Sequence, residues 1–151
     1  KIYLIDSYER LYIKSEEIVP SMIEGSEFSA LIEEDSKFDG IVYNFERCYD
    51  IAKGNLGKFI NKTSFIKKRS EDAIENLPEK VDFIYVDGNH DYEHVKQDIE
   101  LYFPKLKKGG VIAGHDFTAE YPGVARAVLE FSDANDLKVE GCSYDWWMVK
   151  R

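Results

Sequence analysis

Two short stretches, Asp87-Gly88-Asn89-His90-Asp91-Tyr92 and Gly114-His115-Asp116-Phe117, hold the side chains of this sequence best suited to chemistry. Each follows an apolar run, "VDFIYV" in the first case and "GGVIA" in the second, so each reads as the tip of a strand. Two acids delivered by neighbouring strands, Asp87 and Asp116, with His90 and His115 beside them, can hold a divalent cation or orient a base. A plainer role competes at each acid alone, because Asp is common at the start of a helix, where its carboxylate caps unpaired N–H groups.

Out of context, the first stretch fits two other chemistries. Gly88-Asn89-His90-Asp91 spells the GNHD box of two-metal phosphoesterases. That site also needs a D-x-H, a G-D-x-x-D and a closing G-H-x-H, and none of the three occurs here. His90 to His94 spells the H-x-x-E-H of inverted zinc peptidases. Both histidines must then share one face of a formed helix. His90 instead falls in the turn between strand and helix, which leaves His94 as an exposed helix residue.

The elements that must position these residues are legible around them. Four apolar runs, at 1–6, 64–68, 81–87 and 109–116, read as strands, the last two continuous enough to be covered on both faces of a parallel sheet. Between those two, Val95, Ile99, Tyr102, Phe103 and Leu106 form one helical stripe, which Pro104 should end and Gly109-Gly110 should terminate. A further helix is expected from about Tyr43 to Ile60, burying Phe45, Cys48, Tyr49, Ala52, Leu56 and Phe59, and short helices over 71–77 and 123–136. "LKVEG" and "DWWMVKR" read as a closing antiparallel hairpin at a sheet edge, with one of Trp146 and Trp147 packed inward. Residues 7 to 42 show no clear period and are expected to be a partly helical, variable insertion.

Strands alternating with helices predict an α/β fold, a Rossmann-like, mostly parallel sheet with helices on both faces and an antiparallel edge hairpin, as one domain over 1–151. Ligands in such sheets bind at the carboxyl ends of the strands, where Asp6, Ser70, Glu71, Asp87, His90 and Asp116 all fall. The composition is globular, 44% hydrophobic, and no apolar run reaches the ~20 residues of a membrane span. The net charge of −9 argues against a nucleic-acid partner. Cys48 and Cys142 show no metal or disulfide spacing, consistent with a cytoplasmic setting.

The segment "VDFIYVDGNHDYEHVKQDIELYFPKLKKGGVIAGHDF", followed by "GVARAVLEF" and "DWWMVKR", resembles class I S-adenosylmethionine-dependent methyltransferases. More narrowly, it resembles the group with a D-G-x-H-x-Y box and a G-G-x-x-x-G-H-D-Y box, a group associated with O-methylation of glycans and small molecules. The likeness is good over about 60–150 and reaches "KIYLID", which matches the second strand of that fold.

The resemblance implies S-adenosylmethionine as cofactor, with Asp6 on its ribose hydroxyls, Ser70 and Glu71 beside its adenine, and Asp87 near the reacting methyl. It implies Asp87 and Asp116 as ligands of Mg or another divalent cation, and His90 as the base acting with Asp87. Phe117 stands where Tyr is commoner, and Arg69 near a position that often carries Asp. The acceptor implied is a sugar or other small hydroxylated molecule, as in polysaccharide biosynthesis; a homo-oligomer is left open.

The family's first strand and glycine-rich turn have no counterpart here: no G-x-G-x-x-G occurs, and "GNLG" at 54–57 lies in an expected helix. The chain therefore reads as N-terminally truncated, and weak cofactor binding is expected of it. A methyltransferase-like binding module without catalysis is the competing reading.

Overall fold

The structure is a computed structural model that describes residues 1–7, 10–14, 32–33, 37 and 40–151. Two compact units are present, Lys1–Arg69 and Ser70–Arg151.

In the first unit, β1 (Ile2–Ile5) pairs in parallel with β5 (Thr63–Ile66), Ile2 opposite Thr63 and Ile5 opposite Ile66. The Asp6 amide extends the pairing to Ile66 O at 3.3 Å, so Asp6 stands at the carboxyl tip of β1. A second, antiparallel sheet of order β2-β4-β3 is built from β2 (Arg10–Lys14), β3 (Ile32–Glu33) and β4 (Gly40–Asn44). The described parts of the 7–42 segment include these strands; most of the expected insertion lies outside the described residues.

The helix expected from Tyr43 begins later, as α1 (Glu46–Leu56), because β4 runs to Asn44 and the Asn44 side-chain oxygen accepts the Glu46 amide at 3.0 Å. Gly57, at φ 45, ends α1, and a 3-10 stretch continues to Lys62. The expected stripe survives as half-buried Cys48, Tyr49, Ala52 and Leu56, whereas Phe59, past the glycine, is 48% exposed. Tyr49 meets Phe65 of β5 edge to face at 5.1 Å, which seats α1 on the strand pair.

The second unit is a four-stranded sheet of order β6-β7-β9-β8, with α3 and α4 on one face. After α2 (Ser70–Ala73), β6 (Val81–Val86) leads through α3 (Tyr92–Tyr102) to the parallel strand β7 (Leu106–Gly114). α4 (Pro122–Ala134) and the antiparallel hairpin β8 (Glu140–Cys142) and β9 (Asp145–Val149) follow. Pro104 falls in the 3-10 turn after α3, as its missing donor requires.

β7 starts earlier than expected. Val81 pairs with Leu106 but Phe83 with Val111, so Lys107 to Gly110 bulge out of the ladder, and Gly109 at φ 79 makes the turn. The two glycines sit inside the strand instead of closing the crossover.

Pairing aligns Ile84, Ile112 and Met148 in one row across the sheet, and Val86, Gly114 and Trp146 in the next. These rows face Val95 and Ile99 of α3 and Val124, Ala127 and Val128 of α4, which together form the core. On β6 the alternate residues Phe83 and Tyr85 are 58% and 47% exposed, so this strand has one covered face, unlike the two expected from its continuous apolar run. Trp146 is buried and Trp147 half-buried, in line with one inward indole.

Candidate active site

The tips of β6 and β7 lie side by side because the parallel register sets Val86 opposite Gly114. The His115 amide donates to Val86 O at 3.2 Å, carrying the pairing one step further and bringing His115-Asp116 to the start of the Asp87 turn. Gly114 makes this fit possible. A Cβ there would lie 2.5 Å from Val86 O and 2.7 Å from the Trp146 indole, so any side chain would push out the ring that floors the two tips.

The turn after Asp87 is shaped by Asn89, whose side-chain oxygen accepts the Asp91 amide at 2.8 Å, an Asx turn. The chain then enters α3 with Asp91 at its N-cap position and Val95 N bonded to Asp91 O at 3.0 Å. α4 begins at Pro122 with Tyr121 at its N-cap position. Asp87 and Asp116 therefore cap neither helix, and the plainer account of these two acids falls away.

Instead Asp87, His90 and Asp116 come together, with one ligand atom of each lying within 4.8 Å of the others. His90 Nε2 is 2.8 Å from Asp116 Oδ2, and His115 Nδ1 is 3.1 Å from Asp116 Oδ1, so one carboxylate sits between two imidazoles. Asp116 holds a left-handed backbone, φ 61, outside its best region, a local cost of order 1 kcal/mol tolerated by Asp more readily than by most residues. The Asp116 side chain is 15% exposed and that of His90 41%, so the cluster opens to solvent through the imidazole. The neighbouring Tyr85 hydroxyl donates to Asp145 Oδ1 at 2.6 Å; that bond, with burial and the charges of Asp145, Asp87 and Asp116, pushes its pKa up to about 12.

Asp87 and Asp116 bring together the kind of carboxylate oxygens that a hard cation takes. The 2.8 Å between His90 Nε2 and Asp116 Oδ2 is a hydrogen-bond distance, so the imidazole is seated on one of these carboxylates. Behind the tips is a cavity of about 10 Å³, on the scale of one water, lined in part by Val86, Gly88, Val95, Val124 and Trp146. Among the described residues, Trp146 Nε1 is a buried donor with no partner.

The other expected site residues are placed differently. Ser70 and Glu71 form the first turn of α2, where the Ser70 hydroxyl donates to Glu71 Oε2 at 3.3 Å and Ser70 O accepts the Tyr102 hydroxyl at 2.7 Å. Asp98 of α3 lies beside Ser70; burial holds its carboxyl above the usual carboxylate range, Ser70 and His94 pull it down, and Glu71 pushes it up. Asp6 belongs to the Lys1–Arg69 unit, at the tip of β1. His94, 60% exposed on α3, is outside the Asp87 cluster, which removes the peptidase pattern.

Residues 2–117 match the family described as Methyltransferase domain. This chain belongs to that family. Solved structures of similar fold include the O-methyltransferase NovP, at 15% identity and a TM-score of 0.58, covering 98% of this chain and 59% of that one. An O-methyltransferase from Bacillus cereus in complex with S-adenosylhomocysteine superposes at a TM-score of 0.52, with 17% identity, over 70% of this chain and 59% of that one. CalS11, a TDP-rhamnose 3'-O-methyltransferase, gives 0.53 at 14% identity, over 69% of this chain and 50% of that one. The methyltransferase-domain chain also matches a Sinorhizobium fredii protein at 29% identity over 72 residues, spanning 47% of this chain and 8% of that protein. It thus spans a small part of the curated relative and between half and two thirds of the solved chains named. Among the described residues, no helix is long and apolar enough to cross a membrane.

Proposed function

We propose that this domain transfers a methyl group from S-adenosylmethionine to the hydroxyl of a sugar or other small hydroxylated acceptor, at the Asp87–His90–Asp116 cluster. The observation that carries the reading is the convergence of these three side chains at adjacent strand tips, where neither acid serves as a helix cap. Family membership supports the cofactor class, and the name of CalS11 supports a sugar acceptor.

A sugar hydroxyl is a poor nucleophile at neutral pH, so methyl transfer needs a proton acceptor or a cation at the reacting oxygen. Asp87 and Asp116 would hold Mg or a related divalent ion, which supplies Lewis-acid stabilisation of the alkoxide. Asp116 lies on His90 Nε2, which leaves Nδ1 as the ring nitrogen to take the acceptor's proton. The bound sulfonium would supply an electrophilic methyl; by the family resemblance Ser70 and Glu71 would lie beside its adenine, with Asp87 nearest the methyl.

The test is methyl transfer to a panel of sugar nucleotides and small polyols with Mg or Mn present. His90→Ala is expected to lose roughly 10²- to 10⁴-fold in turnover, the usual share of general base catalysis, with unchanged affinity for S-adenosylhomocysteine. Unchanged turnover would remove His90 from the mechanism. A catalytically silent domain that only binds its ligand would show no transfer to any acceptor and no response to the substitution.

A further inference from the structure

His90 is held by more than Asp116. The Tyr121 ring lies over its imidazole, ring centroids 4.4 Å apart and planes inclined at 40°. Tyr121 stands at the N-cap position of α4, in the same β7–α4 connection that carries Asp116. One loop thus contacts the ring face through Tyr121 and an edge nitrogen through Asp116, which together constrain both side-chain torsions of His90.

The backbone around Tyr121 is built for this approach. A Cβ on Gly123 would lie 2.7 Å from both His90 O and Tyr92 N and 3.3 Å from Asp91 C, so the first turn of α4 presses directly on the His90 turn and only glycine fits. Pro122 fixes the entry to the helix, and buried Val124 anchors it to the core. On the other side, Thr118 N bonds to Asp116 O at 2.8 Å and Tyr121 N to Thr118 O at 3.3 Å, which tightens the loop between the two contacts. A ring that merely filled a core gap would be buried; Tyr121 is 37% exposed, and the ring it meets is the His90 imidazole.

We infer that Tyr121 is a positioning residue: its ring, set by the Pro122-Gly123 turn, fixes the orientation of the His90 imidazole toward Asp87 and Asp116. The inference rests on the reading of His90 as a working residue of the site, but not on the identity of the acceptor. His90 is hydrogen-bonded to Asp116, a ligand in the proposed function, and partners that orient a ligand set its cation affinity by about 10- to 100-fold.

The test uses NMR and Mn²⁺ binding on the intact chain, so it needs no acceptor. Nuclear Overhauser contacts between the Tyr121 and His90 rings are expected, with His90 ring protons shifted by the tyrosine ring current. Tyr121→Ala should abolish that shift and weaken Mn²⁺ about tenfold or more, with the α/β circular dichroism retained. Tyr121→Phe, which keeps the ring, should behave as wild type in both respects. Absent ring contacts in the wild type, equal Mn²⁺ affinity in Tyr121→Ala, or loss of binding in Tyr121→Phe would each overturn the inference. Should Tyr121→Ala unfold, the wild-type ring contacts and the Phe variant still decide it. If wild-type chain binds no Mn²⁺, the cation part of the proposed function fails, while the ring contacts and the His90 shifts of the Ala variant then decide the role of Tyr121.

Discussion

Asp98 carries a side chain whose charge the fold disfavours. It lies among the Ser70 hydroxyl, Glu71 and the underside of the Gly88 turn, with Oδ2 3.8 Å from where a Gly88 Cβ would be. Its pKa is raised, so the native state binds this proton more tightly than the unfolded chain does. Stability from this group is therefore full at acid pH and falls as pH rises from the ordinary carboxylate value through the raised one. Asp98→Asn removes the half-buried charge at nearly constant shape, and is expected to raise the melting temperature at pH 7. The gain should vanish as the pH is lowered through the carboxylate range; thermal melts of both proteins at several pH values would show it. A gain that persists in acid would mean that the charge of Asp98 is not what the fold resists.

At the scale of elements, two contacts hold the two ends of β7. Gly114 leaves room for the Trp146 indole of β9 against the end of β7, and Gly114→Ala should cost about 1–3 kcal/mol by overpacking, more if Val86 O cannot move. Because the same strand end delivers Asp116, Mn²⁺ affinity should fall with stability; denaturant melts and calorimetry check the pair. At the opposite end of the sheet, Lys150 Nζ donates to Phe103 O at 3.0 Å, Pro104 O at 3.3 Å and Leu106 O at 3.0 Å, closing the 3-10 turn that leads from α3 into β7. Lys150→Met keeps the aliphatic stem and loses three charge-assisted bonds. It should cost about 1 kcal/mol, the low end for such bonds because the site is near solvent, with no effect on cation binding. A Met variant as stable as wild type would reduce this clamp to ornament.

At the scale of the whole molecule, the 151 residues hold no G-x-G-x-x-G, while Asp6, Ser70 and Glu71 are all present. How much was legible beforehand follows the range of each interaction. The stripe Val95, Ile99, Tyr102 and the stop at Pro104 were readable because helical periodicity and a missing donor act over a few residues. The start of β7 at Leu106 and the exposed outer face of β6 were not, because a bulge and the covering of a face depend on what packs alongside. The end of β4 and start of α1 shifted because strand pairing with Arg10 carries β4 to Asn44, whose side-chain oxygen then accepts the Glu46 amide.

By itself the sequence determined which residue types stand at the strand tips, since the apolar runs "VDFIYV" and "GGVIAG" end where Asp87 and His115-Asp116 begin. It also determined the strand–helix–strand order that makes those tips neighbours in a parallel sheet. Asn89 could have been read too, as an Asx-turn former two residues before Asp91, because that pattern is local. Tertiary structure alone decided that Asp116 lies between His90 and His115, that the indole of Trp146 floors the tips, and that Tyr121 covers the His90 ring. The reason is that, apart from the chain neighbours His115 and Asp116, these contacts join residues about 25 to 60 positions apart, whose meeting is set by strand register and the close approach of α4 at Gly123. No periodicity or motif encodes that approach.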